Sequence, residues 1–196
     1  MRFPLLTAAL AALTFALPAT AQKVQVFGGQ SERACSTLIL FGDDMAAGIT
    51  VTHGQPEWQP EYDSMLDKLK GKLNRLGKDM WTTFLNSVDV EIGGTMIPAG
   101  SYVVGLNCDK DGKFGLAFLD STKAMKQGLM PFGPQKWTPD FVAPLELHKD
   151  AAKEVVEKMT MALKADDKDP MHGTFTLSWG KHQLVGALAI HAHAGK

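Results

Sequence analysis

The chain has 196 residues, and 20 Lys and Arg oppose 21 Asp and Glu to give a net charge of −1 at pH 7. Its basic residues form no stripe, which argues against nucleic-acid binding, because that function needs clustered Lys and Arg to displace counterions. The 19 Gly and 10 Pro indicate a fold with many turns.

The first 21 residues have the three parts of a secretory signal peptide. Met1-Arg2 supplies a positive start, "FPLLTAALAALTFAL" is an apolar run, and Ala19 and Ala21 have the spacing of a signal peptidase site. We predict that residues 1–21 are a signal peptide and that residues 22–196 form a single domain that is periplasmic or secreted. No later segment approaches the ~20 apolar residues of a membrane helix, so we expect no transmembrane helix after cleavage.

Alternating apolar and polar residues predict a short strand at residues 23–27, and a β-hairpin or a pair of adjacent strands at residues 36–41 and 48–53. The period then changes to three and four, with Leu66, Leu69 and Leu73 on one side. This spacing predicts one amphipathic helix over about residues 61–76. Such a helix can bind a membrane or a partner, but we favour one that packs on a sheet.

From residue 82 onwards the period of two returns. The segments "TTFLNSVDVEIGG", "SYVVGLNC" and "KFGLAFLD" read as strands, and the "DKDG" between the last two predicts a tight hairpin. Residues 121–144 carry four Pro and two Gly and predict a long irregular connection. A strand at 145–149, a possible helical turn at 150–156 and three more strands complete the chain. We therefore predict a mainly β fold, an antiparallel β-sandwich with the one helix.

The two cysteines, Cys35 and Cys108, are candidates for a disulfide, since an isolated pair in an exported protein is often bridged. The alternative is two separate thiols, because the sequence does not show whether their β-carbons face each other.

Catalytic and metal-binding motifs are scarce. The chain lacks a Gly-x-Ser-x-Gly elbow, and its acidic residues fall mostly in turns and on the predicted helix. The six His have no metal-motif spacing; His191 and His193 are the weak candidates, because two residues apart on a strand they share a face. We predict no metal site and no cofactor, and we lean against an enzyme.

Two of the four tryptophans, Trp58 and Trp137, stand in Pro-rich loops, where an aromatic ring can contact a ligand or cap the core. We predict that both rings lie at the same end of the sandwich, with His53 near the rim, as a ligand-binding site. The expected partner is a glycan, a small molecule or an envelope protein. The expected role is non-catalytic binding or structure; the alternative is an envelope hydrolase acting on glycans or small esters.

Several segments, in order, carry a family resemblance: "GITVTHGQPEW", "GKDMW", "VDVEIGGTMIPAGSYVVGL", "KMTMAL" and "FTLSWGKHQLVGALAIH". Together they resemble the exported bacterial family catalogued as domain of unknown function 2911. The resemblance covers roughly residues 33–192 and implies an extracytoplasmic β-sandwich-like domain without an established activity. The sequence departs from the family pattern at residues 53–58 and 82–86, so a family site at those positions would be altered here.

Overall fold

Antiparallel strands make up most of the computed structural model, which describes residues 32–42, 45–132 and 136–191. The predicted signal peptide, the predicted strand at residues 23–27 and His193 lie outside the described residues. Within them, one 3₁₀ helix spans Pro60–Leu69 and one α-helix, α1, spans Ser121–Lys126. The twelve strands are β1 (Arg33–Gly42), β2 (Met45–Gly54), β3 (Lys72–Arg75), β4 (Thr82–Asn86), β5 (Asp89–Ile92), β6 (Thr95–Ile97), β7 (Gly100–Cys108), β8 (Phe114–Asp120), β9 (Phe141–His148), β10 (Val156–Ala165), β11 (His172–Gly180) and β12 (His182–His191).

Nine of the strands follow one another in one continuous sheet in the order β1-β2-β4-β7-β8-β9-β12-β11-β10, while β3 pairs with β7 and β5 pairs with β12 and β6. The predicted mainly β, antiparallel class is confirmed, and so are the hairpins β1–β2 and β7–β8. The faces of the predicted sandwich are parts of this single sheet, which curls around its core until its first and last strands meet. There the backbone N–H of Leu163 on β10 donates to Ser36 Oγ on β1 at 2.9 Å.

The core lies inside the curled sheet because alternate residues of most strands are apolar and point inward. On β2 these residues are Ile49 and Val51, on β7 Val104, and on β8 Leu116 and Phe118, all of them buried. On the opposite face of the sheet, Val103 of β7 and Leu119 of β8 form a second, smaller cluster with Ala124 of α1.

The predicted helix over residues 61–76 is present only in its first part. It is a 3₁₀ helix that ends at Leu69, and Lys72–Arg75 form β3 instead. Lys70 leaves the helical conformation with a ψ of 136°, and Gly71 follows with a φ of 70° while its N–H donates to the Asp109 carbonyl at 3.0 Å. Residues Lys72–Arg75 then form hydrogen bonds with β7 in place of helical ones. The periodicity of the leucines did not reveal this pairing partner.

Two other local predictions differ from the structure. The connection over residues 121–144 is not wholly irregular, since it opens with α1 and closes with the start of β9. Asp120 caps α1 by accepting a hydrogen bond from the N–H of Lys123 at 2.8 Å. The possible helical turn at residues 150–156 is a non-helical turn that leads into β10.

The predicted Cys35–Cys108 disulfide is not found, because both thiols are free in the structure. Cys35 is exposed on β1, whereas Cys108 is buried on β7. β1 and β7 are three places apart in the sheet, roughly 14 Å at the usual strand spacing. A disulfide needs Cα atoms within about 7 Å of each other.

The hairpin of β5 and β6 closes one end of the curled sheet, which we call the hairpin end. Val90, Ile92 and Ile97 of this hairpin are completely buried. Below them the Asn86 side-chain amide donates to the carbonyls of Val88 at 2.8 Å and Pro98 at 2.9 Å. The hairpin end is therefore held by the burial of apolar side chains and by partly buried hydrogen bonds.

Candidate functional site: an aromatic cavity under the 3₁₀ helix

Four rings cluster at the other end of the curled sheet. The indole of Trp58 lies edge-on to Trp179, Tyr62 and His182, with ring centroids 5.2, 5.7 and 5.8 Å away. Tyr62 and Trp179 also contact each other, at 4.8 Å. Edge-to-face packing of this kind is favourable for aromatic rings and holds them in defined positions.

Backbone contacts explain why Trp58 reaches this position. The chain after β2 runs beside β10, where the N–H of Trp58 donates to the Glu157 carbonyl at 2.6 Å. The Trp58 ring then lies against Gly180, at the turn between β11 and β12. A β-carbon on Gly180 would stand 2.5 Å from the ring, and Gly180 has a φ of 63°, so glycine suits this position in two ways.

The rings line a cavity of about 190 Å³, which we call the aromatic cavity. Small apolar cavities of about 150 Å³ are known to hold a benzene molecule, so the volume suits one small ring or a short branched chain. Besides the four rings, the wall is built almost wholly from apolar side chains: Met65, Leu66, Leu69, Leu76, Leu106, Phe114, Leu147, Met159, Leu177 and Leu184, with Asn74 and Arg75 as polar exceptions.

The 3₁₀ helix covers the cavity, yet no residue of Pro60–Leu69 is buried. A 3₁₀ helix has poorer hydrogen-bond geometry than an α-helix and rarely continues for ten residues. Leu66 and Leu69 pack only partly against the core. The cover is thus attached by few buried contacts, and such segments are the ones that open at low cost.

One polar contact links the 3₁₀ helix to the sheet beneath it. His182 Nε2 lies 2.6 Å from the Asp63 carboxylate, and the Asp63 side chain is 64% exposed while that of His182 is 14% exposed. The other ring nitrogen, His182 Nδ1, is buried without a hydrogen-bond partner among the described residues. Among the described residues that line the cavity, His182 Nδ1 is the one buried side-chain nitrogen or oxygen without a hydrogen-bond partner.

The sequence-predicted site residues do not come together. Trp58 lies in the aromatic cavity, whereas Trp137 packs against the second cluster with Val103. Val103 and the cavity residue Leu106 are three apart on β7, so they face opposite sides of the sheet. The expectation that Trp58 and Trp137 share one site is therefore wrong.

His53 is not near a rim but is completely buried on the inner face of β2. Its Nε2 lies 3.2 Å from the Met159 carbonyl, and its Nδ1 has no partner among the described residues. Burial lowers the pKa of His53, and the hydrogen bond to Met159 only partly opposes that effect. The imidazole is neutral and lies in the core, on the same face of β2 as Ile49 and Val51.

A second pocket, more polar, lies beside the start of α1. Lys123 Nζ pairs with Asp140 at 2.6 Å, and the N–H of Asp120 donates to the same carboxylate at 3.0 Å. Partial burial raises the pKa of Asp140, but these hydrogen bonds outweigh it and hold the pKa below its usual value. The carboxylate is already used in holding α1 and β9 together, so the aromatic cavity is the better candidate site.

The weak metal candidates give no site in the described part of the chain. His191 Nε2 faces Glu91 at 3.5 Å across the β12–β5 pair. Residues 32–42, 45–132 and 136–191 contain no group of three or more His, Cys, Asp or Glu able to hold a metal ion. In the same ranges, no helix is both long and apolar enough to pass through a bilayer.

Sequence reasoning missed Tyr62, Trp179 and His182 as site residues. The sequence contains a signal for two of them, because Trp179-Gly180-Lys181-His182 reads as a strand end, a Gly turn and a returning strand. Such a turn brings its two flanking residues together, and in the structure Trp179 pairs with His182 across β11 and β12. No signal indicated Asp63 as the partner of His182, because the two residues are 119 positions apart.

Comparison of the chain with protein-family models, with curated proteins and with solved structures finds no match. The resemblance to the exported family of unknown function stays a prediction. What can be argued about function therefore rests on the geometry of the aromatic cavity.

Proposed function

We propose that the protein is an exported, non-catalytic binding module that takes a small apolar group into the aromatic cavity. The observation that carries this proposal is a cavity with aromatic and leucine walls under a helix with no buried residue. Small-molecule sites are typically concave and apolar with few polar groups, and they are largely formed before the ligand arrives. Export is supported by the signal-peptide pattern at residues 1–21.

The character of the wall favours a small molecule over a glycan or a protein as the partner. A glycan needs many hydrogen-bonding groups, but the polar side chains on this wall are few and mostly engaged. The Asn74 amide donates to the Lys72 carbonyl at 3.1 Å, and the Arg75 guanidinium donates to the Phe132 carbonyl at 3.1 Å. A space of about 190 Å³ holds a small group, whereas a stable protein interface buries roughly 1,200–2,000 Å² of surface.

The hydrolase alternative finds weaker support. Asp63 and His182 form an acid–base pair of the kind that activates a nucleophile in hydrolases. However, the described residues that line the cavity include no Ser, Thr or Cys beside this pair. Binding is therefore the better-supported function.

The test uses toluene as the probe and the four Trp indole N–H signals in ¹H–¹⁵N NMR as the readout. We expect toluene to shift the signals of Trp58 and Trp179 in a saturable way. The signals of Trp81 and Trp137, which belong to the second cluster, should stay in place. Unchanged spectra, or equal non-saturating shifts of all four signals, would contradict the proposal.

A matched pair of variants on the 3₁₀ helix locates the binding. Leu66→Trp places a large ring into the cavity and should weaken toluene binding by at least about 10-fold, because the site is then filled. Ser64→Trp adds the same ring to an exposed position outside the cavity and should leave the affinity unchanged. Equal affinities for the two variants would show that toluene binds elsewhere.

A further inference from the structure

Three large apolar side chains are exposed on two loops that meet at Arg75. Met80, between β3 and β4, is 56% exposed, and Met130 and Phe132, which follow α1, are 62% and 66% exposed. The Arg75 guanidinium donates to the Asp79 carbonyl in the first loop and, at 3.1 Å, to the Phe132 carbonyl in the second. We call the three apolar residues the loop patch. Exposed apolar side chains that cluster in this way are a common mark of an interaction surface.

The loop that presents Met80 is held in one conformation. Asp79 takes a φ of 63°, which a residue with a side chain rarely adopts unless its surroundings impose it. Here the contacts that impose it are the Arg75 bond to the Asp79 carbonyl and an Arg33 bond to the Trp81 carbonyl at 2.5 Å. Met80 lies between these two anchored residues, so its exposure is a fixed feature of the fold.

The loop patch has a basic border. Arg33, Arg75 and Lys78 carry positive charges there, and Asp79 is the one acidic residue of the described loops 77–81 and 127–132. Burial lowers the pKa of Arg33, while the charge of Asp79 opposes that shift and the charge of Arg75 adds to it, so these three groups lie close enough to interact. The carbonyls that Arg33 and Arg75 bind are neutral and leave both positive charges in place. The border is therefore net positive, although the whole chain has a net charge of −1.

We propose that the loop patch docks the protein on a bilayer surface that contains anionic lipids. Exposed apolar side chains enter the boundary between headgroups and acyl chains, and basic side chains are attracted to anionic headgroups. Binding strengthens with both the buried apolar area and this attraction. The three apolar side chains supply the first contribution, and the basic border supplies the second.

The size of the loop patch favours a bilayer over a protein partner. Stable protein interfaces bury roughly 1,200–2,000 Å² and use about 20–30 residues on each side. The loop patch offers three exposed apolar residues. They are too few for such an interface, but together with basic side chains they are enough for reversible attachment to a membrane surface.

Docking on a bilayer goes beyond the proposed binding of a small ligand and does not depend on it. Arg75 also belongs to the wall of the aromatic cavity, so the docked protein would hold that cavity close to the lipid. Small apolar compounds concentrate in the apolar interior of a bilayer. The two sites would then act in the same place.

Co-sedimentation with lipid vesicles tests the proposal, with protein purified from the envelope fraction. One set of vesicles is phosphatidylcholine alone, and the other contains about 30% phosphatidylglycerol as the anionic lipid. We expect binding to the anionic vesicles to be at least about 5-fold tighter, and added salt to remove most of this difference by screening.

A matched pair of double variants locates the contact. Met80→Ser combined with Phe132→Ser removes two apolar side chains of the loop patch and should weaken binding at least about 10-fold. Met96→Ser combined with Phe41→Ser changes the same residue types at other exposed positions and should leave binding unchanged. Phe41 lies eight residues along β1 from Arg33, roughly 26 Å at the usual rise of a strand.

A second pair tests the basic border without touching the apolar residues. Lys78→Gln should weaken binding to the anionic vesicles by about 3- to 5-fold, as the loss of one basic side chain near the lipid predicts. Lys164→Gln, at an exposed position on β10, changes the net charge equally and should have no effect. Both lysines are exposed, so both variants are expected to fold.

The outcomes separate this inference from the proposed function, because the toluene titration contains no vesicles. Failure of the wild-type protein to bind anionic vesicles would overturn the inference and leave the proposed function standing. Equal binding by the two double variants, or by the two lysine variants, would also overturn it. Self-association without vesicles that Met80→Ser with Phe132→Ser abolishes would show that a second copy covers the loop patch instead of lipid.

Discussion

The two ends of the curled sheet are covered in opposite ways. At the hairpin end, β5 and β6 bury Val90, Ile92 and Ile97 completely, and the Asn86 amide donates to the carbonyls of the two residues that flank the hairpin, Val88 and Pro98. At the cavity end, the 3₁₀ helix buries none of its residues. The first cover completes the core, whereas the second leaves a space between itself and the core.

This difference separates the end that adds to the stability of the fold from the end that contains the cavity. Burial of apolar side chains is the main favourable term in folding, so the hairpin end contributes to global stability. A cover with few buried contacts opens at a lower free energy than the whole molecule. Three pairs of variants test this difference between the two ends.

The largest contrast is expected between Ile97→Ala and Leu66→Ala. Ile97 is completely buried, and its truncation should lower the free energy of unfolding by roughly 2–5 kcal/mol. Leu66 is only partly buried on the 3₁₀ helix, so its truncation should cost about 1 kcal/mol or less. Urea denaturation of both variants measures the difference. Equal losses would mean that the 3₁₀ helix is as firmly packed as the hairpin.

A smaller contrast is expected within the turn of the same hairpin. Gly93 and Gly94 both have positive φ, 56° and 84°, so alanine at either position costs about 1–2 kcal/mol of backbone strain. A β-carbon on Gly93 would also stand 2.2 Å from the Pro144 carbonyl oxygen, whereas one on Gly94 meets nothing within 4 Å. Gly93→Ala should therefore be the more destabilising by about 1–3 kcal/mol. Similar melting temperatures for the two variants would show that β9 does not hold the hairpin closely.

The smallest effect concerns His53, which lies between the two ends. Burial holds its folded-state pKa below the ordinary 6.5, so the unfolded chain binds the proton more readily than the folded one. The free energy of unfolding should therefore fall as the pH drops from about 6.5 towards the lowered folded-state pKa, and this contribution should vanish above 6.5.

His53→Leu should flatten this part of the stability profile. The Met159 carbonyl keeps the hydrogen bond from Gln55 Nε2 at 3.2 Å, so the variant loses little else. His148→Gln, at a partly exposed position on β9, is the control and should keep the slope. A slope that survives in His53→Leu and disappears in His148→Gln would assign the titration to another histidine.

The sequence allowed the strands to be predicted because their apolar residues alternate and their turns carry Asp-Gly and Gly-Gly. It did not allow the ending of the 3₁₀ helix to be predicted, since β3 is set by its pairing with β7 and not by the leucine spacing. Likewise, the alternation in "GITVTH" puts His53 on the same face as Ile49 and Val51, but the sequence does not show that this end of β2 is completely buried.

The candidate site was less predictable than the fold. Trp58 could be chosen because an aromatic ring between prolines is unusual, and the same argument led wrongly to Trp137. Trp58 lies against Gly180 at the turn between β11 and β12, whereas Trp137 packs with Val103 on the outer face of β7, and loop sequences contain no information on that choice. The Asp63–His182 contact depends on the folding of two distant segments onto one another, so no local pattern predicts it.

The meeting of β1 and β10 has a consequence for the order in which the molecule assembles. Ser36 and Leu163, which join these strands, are 127 positions apart in the chain. Hairpins such as β1–β2 and β11–β12 need only short loops to close, but the β1–β10 contact carries the loop-closure entropy of most of the chain. β1 and β10 share no strand pairing in the described residues, so before this contact forms nothing covers their edges, which are templates for pairing with other chains. The seam between β1 and β10 is thus the part of the fold that is most exposed to intermolecular association while the protein is being made.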